Sequence, residues 1–178
     1  MGRNKLLLDV GGVTMVRRAA VTAVAAGLSP VVVVTGNESE LVQRALDGLP
    51  CSCVVNPDFT GPTSGSLHAG LRSLGGDVDA AVVLLADMIR ISDAMLTAVC
   101  NANHESGAPL TVSRYGDVLA PPLLFRRALW PELLAWHGEG CGKAVVNRHR
   151  AEAEIVDWPI DLLRDVDTPD DYRDLVSQ

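Results

Sequence analysis

Short apolar, β-branched runs alternate along this 178-residue chain with segments of helical period, and that alternation constrains its fold more than any other feature. Residues 31–34 are all valine, too few for a helix and apolar on both faces, as a buried parallel strand is. Residues 80–85 form the purest apolar run, which ends shortly before Asp87, and 51–55 and 154–158 read as further strands. Short strands are expected at 110–113 and 123–125, on either side of a Tyr115-Gly-Asp turn. Between them, residues 14–26 place Val16, Ala19, Ala20, Ala23 and Val24 at helical spacing and stop at Gly27. Asn37-Glu-Ser-Glu40 has the form of a capping box opening a helix to about residue 46. Helices are also expected at 64–74, from the Ser92 cap to about residue 103, at 126–136 with Pro131 near its first turn, and after the 138–142 glycine turn. Thr168-Pro169 starts the last. Strand and helix at these spacings predict parallel βαβ units in an α/β fold, a three-layer α/β/α sandwich with a mostly parallel sheet, in one domain over 1–178.

Composition agrees: hydrophobic residues make up 48% and charged residues 21%, with a mean hydropathy of +0.20. The net charge is −7, and the basic residues are scattered, which argues against nucleic acid as a partner. An anionic small molecule remains compatible, since backbone N–H groups or a metal can hold it locally. No apolar stretch is long enough for a membrane span and no leader is recognisable, so a cytoplasmic chain is expected. Cys51, Cys53, Cys100 and Cys141 include no C-x-x-C pair and read as reduced structural thiols.

In parallel sheets ligands bind at the carboxyl ends of the strands, where Thr35-Gly36, Asn56 and Asp87 all fall. Asp87 stands where an apolar strand surfaces, and a carboxylate there needs a partner or a metal. The loop Gly61-Pro-Thr-Ser64-Gly65-Ser66 leads into a helix; its N–H groups and hydroxyls suit a phosphate, although an ordinary strand-to-helix connection has the same composition. Asp165 and Asp167 precede the last helix, and either, if it met Asp87, would complete a hard-oxygen site for Mg²⁺. Lys5 reads as a phosphate ligand or as a solvated terminal residue. His68, His104, His137 and His149 lack metal-ligand spacing, and the three tryptophans read as packing residues.

Taken in order, seven segments resemble the landmarks of the molybdenum cofactor cytidylyltransferases, within the wider class resembling the molybdenum cofactor guanylyltransferase. They are Met1-Gly-Arg-Asn-Lys-Leu-Leu-Leu, Asn56-Pro-Asp-Phe59, Ser64-Gly-Ser-Leu-His-Ala-Gly70, Leu84-Leu-Ala-Asp-Met88, Ala120-Pro-Pro-Leu-Leu-Phe125, Gly138-Glu-Gly-Cys-Gly-Lys143 and Asp165-Val-Asp-Thr-Pro169. The resemblance implies a Rossmann-like nucleotidyltransferase sheet and a Mg²⁺-dependent attack by the molybdopterin phosphate on the α-phosphorus of CTP, releasing pyrophosphate. It implies Lys5 and Asp87 as catalytic residues and Asp87 and Asp167 as metal ligands, with Asp165 as the alternative. Lys5, Asn56, Ser64, Gly65, Ser66 and Asp87 would line the nucleotide site. The implied partners are a nucleoside triphosphate (CTP favoured), the molybdopterin cofactor and a molybdoenzyme apoprotein.

The chain also departs from that pattern. The family's opening strand and Leu-Ala-Ala-Gly loop precede a Met-Gly that here stands at Met1-Gly2, so neither is in this sequence. That implies that Met1 is an internal methionine of a longer chain, and that the 178-residue form is weakly active or inactive. Ala86 replaces the usual Gly, Ile89 the usual Pro, and Gly65 a common Ser. Two other readings stay open: a related transferase using GTP or a sugar-phosphate acceptor, and a non-catalytic homologue that binds the cofactor or a molybdoenzyme.

Overall fold

The computed structural model describes residues 4–163. After a 3₁₀ turn at Lys5–Leu7 the elements are α1 (Met15–Ala25), β1 (Val31–Thr35), α2 (Ser39–Ala45), β2 (Cys51–Val55), α3 (Ser64–Ser73) and β3 (Ala80–Val83). There follow α4 (Asp93–Ser106), β4 (Leu110–Tyr115), β5 (Val118–Arg126), α5 (Trp130–Ala135), α6 (Cys141–Arg148) and β6 (Glu154–Trp158). Local chemistry accounts for several boundaries. The Ser92 hydroxyl accepts from the Met95 N–H at the start of α4, and Gly107, at φ +68°, ends it. Pro131 sits in the first turn of α5, where its missing N–H costs nothing.

The strands lie in two pieces. β1 and β2 pair in parallel, and a four-stranded piece has the order β3-β5-β4-β6. β5 runs antiparallel to β3 and β4, while β6 is parallel to β4. Thus β3, β4 and β6 share one direction and β5 alone opposes it, giving the mostly parallel α/β arrangement that the alternation predicts. Helices cover two faces. α1 and α4 bury Ala23, Met95 and Leu96 with Tyr115 on one side. α3, α5 and α6 pack Leu71, Leu133 and Val145 against Leu110, Val112, Leu123 and Phe125 on the other. Cys51 and Cys53, two positions apart, both pack against the α1–α2 cluster, as the period of a strand requires. Burial pushes the Cys53, Cys100 and Cys141 thiols up, which suits structural rather than reactive cysteines.

Three local expectations change. The Asn37 capping box does not form: the N-cap of α2 is Glu38 in the left-handed region, with no side-chain cap bond, and the Asn37 carbonyl accepts from Asn4 Nδ2 instead. β4 and β5 extend as a hairpin around Asp117, because pairing recruits residues that have little apolar pattern of their own. The run 80–85 ends as a strand at Val83, and neither β1 nor β3 is deeply buried: their residues are half-buried except Thr35, and Leu85 is exposed. Among the described residues each has a strand on one side only.

At the C-terminal end of α6, Glu132 of α5 accepts from Arg148 at 2.6 Å and pairs with His149 Nε2 at 2.8 Å, and His149 Nδ1 lies 3.2 Å from Glu152. The Glu132 hydrogen bond holds the His149 pKa above its usual 6.5. A raised folded-state pKa contributes stability that is fully present below the unfolded value and lost as pH rises through the folded one. Wild type is therefore expected to exceed His149→Gln in Tm most below about pH 6.5. The gap should shrink as pH rises through the raised value; a gap that widens with pH in thermal unfolding would refute this origin.

Candidate active site

The strand ends gather the residues that the sequence singles out. Lys5, in the 3₁₀ turn, places Nζ 2.6 Å from Asp87 Oδ2, with the side chains 35% and 17% exposed. Eighty-two residues separate these two groups in the chain, so only the fold brings them together. Asp87 lies in the turn beyond β3, where Met88 N–H donates to the Leu85 carbonyl. Asn4 anchors the same turn: its Oδ1 accepts from Leu6 N–H and its Nδ2 donates to the Asn37 carbonyl beyond β1. The N-terminal turn is thereby tied to the carboxyl ends of both β1 and β3.

A second cluster forms beyond β2. Asn56 is 5% exposed; its N–H donates to the Thr35 carbonyl at 2.7 Å, joining the ends of β1 and β2. Its Oδ1 accepts from Asp58 N–H, and its Nδ2 donates to Ser66 Oγ at 3.2 Å. Ser64 is buried at the start of α3. A Cβ at Gly65 would stand 3.2 Å from Asn56 Nδ2, so glycine lets the first turn of α3 close on Asn56. Gly36 has the same kind of role, since a Cβ there would lie 2.2 Å from the Phe59 Cβ. Lys5, Ser64, Ser66 and Asp87 all line one open cleft of about 1420 Å³, while Asn56 and Gly65 support it through Ser66. Asp165 and Asp167 lie outside the described residues.

Two features were not assigned from sequence. Glu139 clamps the loop before α3, accepting from Thr63 Oγ1 at 2.7 Å and from Thr63 N–H at 3.3 Å. Nothing local marks that pair, which is 76 residues apart. Lys143 and Asn147 line the same cleft from α6. Their i, i+4 spacing was a readable sign that they share a helix face.

The arrangement sets a cation and a carboxylate side by side in the lining of a cleft that two serine hydroxyls also line. That is a donor set for polyphosphate: the ammonium offers a point charge, the hydroxyls hydrogen bonds, and the carboxylate a hard oxygen. The described residues contain no cluster of three or more His, Cys, Asp or Glu side chains placed to hold a metal. Asp87 alone still fits Mg²⁺, which is commonly held by one or two carboxylates with the remaining positions filled by phosphate and water.

Residues 1–153 match the MobA-like NTP transferase domain. The chain belongs to this family. Among solved structures it is similar to Rv0371c from Mycobacterium tuberculosis H37Rv, with a TM-score of 0.88 and 24% identity over 100% of this chain and 91% of that one. A manganese complex of Rv0371c superposes with a TM-score of 0.80 and 26% identity, over 99% of this chain and 94% of that one. The molybdopterin-guanine dinucleotide biosynthesis protein A from Archaeoglobus fulgidus shares the fold, with a TM-score of 0.62 and 15% identity over 99% and 90% of the two chains. No curated protein matches the sequence closely enough for comparison. Membership of this family makes nucleotidyl transfer the general activity of the fold. No helix among the described residues is long and apolar enough to cross a membrane.

Proposed function

We propose that this protein transfers CMP from CTP to the phosphate of molybdopterin-bound molybdenum cofactor, releasing pyrophosphate. The observation that carries the reading is the Lys5–Asp87 pair, 2.6 Å apart in the lining of the cleft that Ser64 and Ser66 also line. The motif resemblance adds CTP as donor and molybdopterin as acceptor. The manganese complex of Rv0371c supports a divalent metal, and the A. fulgidus protein, named for molybdopterin-guanine dinucleotide biosynthesis, supports a molybdopterin acceptor.

In this reading the chain works mainly by alignment and charge. Lys5 binds triphosphate oxygens and orients the α-phosphorus, and Ser64 and Ser66 position the nucleotide by hydrogen bonds. Asn56 fixes the Ser66 hydroxyl, and Glu139 steadies the loop through Thr63. Asp87, with Asp167 proposed beside it, would hold Mg²⁺, which supplies charge neutralisation on the triphosphate when bound. The acceptor phosphate is already an anionic nucleophile, so the chain needs no group to deprotonate it.

Thermal unfolding with nucleotides tests this reading. CTP with Mg²⁺ should raise Tm, by about 2.7 kcal/mol of added stability at one hundred times Kd. CTP without the metal should act weakly, and GTP with Mg²⁺ should add little. A shift with GTP alone would move the donor to guanine, and no shift with any nucleotide would favour the non-catalytic homologue.

A further inference from the structure

A carboxylate already sits on the corner that opens α3. Glu139 Oε2 accepts from the Thr63 hydroxyl at 2.7 Å, and the Thr63 N–H donates to its two oxygens at 3.3 and 3.4 Å. Thr63 is the N-cap of α3 and makes no side-chain cap bond of its own, so an acid from a distant part of the chain serves the helix start. Next in sequence, Ser64 is only 5% exposed and lines the cleft together with Thr63. Its hydroxyl has no hydrogen-bond partner among the described residues, although a hydroxyl so placed is normally paired. The corner thus holds an anionic group on two donors and leaves a third donor unused.

Glu139 is held as a removable group would be. Its contact with Thr63 is exposed to solvent. Gly138 and Gly140 flank it at φ +111° and +71°, a conformation open to glycine, and a Cβ on either would meet nothing within 4 Å. Trp136 Nε1 donates to the Glu139 carbonyl at 3.1 Å, which anchors the main chain of the turn and leaves the side chain free to rotate.

We propose that Thr63 and Ser64 form a seat for a phosphate group of the substrate, and that Glu139 occupies this seat until the phosphate arrives. Two anions cannot share the same donors, so the incoming phosphate displaces the carboxylate into solvent. Phosphate has the advantage in that exchange. It carries more charge than a carboxylate, and its three or more acceptor oxygens can meet the Thr63 N–H, the Thr63 hydroxyl and the Ser64 hydroxyl together. Lys143, on α6 just beyond the glycine turn, adds a positive charge to the same cleft lining. Glu139 therefore steadies the loop in the free protein and lowers the apparent affinity for phosphate by the fraction of time it is seated.

A fixed cap, in which Glu139 only completes the start of α3, predicts the opposite sign. The seat deepens the proposed reaction, yet its readout is phosphate binding without nucleotide or turnover, so either can fail while the other stands. Calorimetric titration with inorganic phosphate compares wild type with Glu139→Gln, which keeps an acceptor oxygen for Thr63 and removes the charge. The variant should bind phosphate about three- to tenfold more tightly, as for a seat that is open about a third to a tenth of the time in wild type. Its Tm without phosphate should stay within about 4 °C of wild type, because the contact is exposed. Thr63→Val added to Glu139→Gln should remove the gain. Asp117→Asn, which neutralises another carboxylate of the cleft lining, should bind phosphate as wild type does. Unchanged or weaker binding by Glu139→Gln would make Glu139 a fixed cap and overturn the proposal. An equal gain in Asp117→Asn would reduce the effect to overall charge, and a gain that survives Thr63→Val would put the phosphate elsewhere; each overturns it. So would tighter binding of cytidine, titrated alongside, without tighter binding of phosphate, since the corner would then receive a neutral carbonyl.

Discussion

Asp87→Ala is expected to abolish the Mg²⁺-dependent response to CTP and to lower nucleotidyl transfer by at least about 10²-fold, the size of effect that follows loss of one preorganised charge in a reacting site. The same change should barely alter folding. The Lys5–Asp87 pair is partly solvated, and such pairs contribute about 0–1 kcal/mol, so Tm should move by no more than about 4 °C. The two readouts together are diagnostic. A large loss of Tm would make the carboxylate a structural anchor for the N-terminal turn, and an unchanged nucleotide response would place the metal elsewhere. Asp87→Asn sharpens the comparison, because it keeps the size and one acceptor oxygen while removing the charge. It should therefore fold as wild type and still fail to respond to Mg²⁺ with CTP.

Phe125→Ala should have the opposite profile. Phe125 is fully buried on β5, the strand that joins β3 to β4, and pairs with Ala81 on one side and Leu110 on the other. It belongs to the cluster formed by α3, α5 and α6 against the sheet. Removing a buried phenylalanine ring costs about 3–5 kcal/mol in lost transfer energy and residual cavity. For a chain of this length that corresponds to a fall in Tm of about 6–20 °C in calorimetry. Nucleotide affinity of the remaining folded fraction should change little at low temperature, since the Lys5–Asp87 and Asn56–Ser66 hydrogen bonds do not involve Phe125. A fall of less than about 2 °C would mean that the α5–α6 side closes over the void.

Much of the fold was legible because its signals are local. Valine runs, the Ser92 cap and Gly107 each report a backbone preference within a few residues, and every helix expected before residue 163 is found within a few residues of its place. The capping box at Asn37 does not form because the chain enters α2 one residue later, through a left-handed Glu38 as N-cap. The length of β5 was hidden for a non-local reason. Residues 118–122 include two prolines, a poor strand pattern, and are drawn into the hairpin by pairing with β4.

The candidate site divides along the same line. Sequence alone determined which residue types stand at strand ends, because apolar runs stop where they surface, and so it pointed to Asp87, Asn56 and the loop at Ser64. The tertiary structure decided that Lys5 meets Asp87, that Asn56 holds Ser66, and that Glu139 reaches Thr63, since contacts between residues ten to eighty-two positions apart leave no periodic trace in a chain. It also decided that β1 and β3 lie in separate pieces of sheet, each with one edge unpaired among the described residues. An apolar run says that a strand will be buried; only its neighbours in space say whether both of its edges are met.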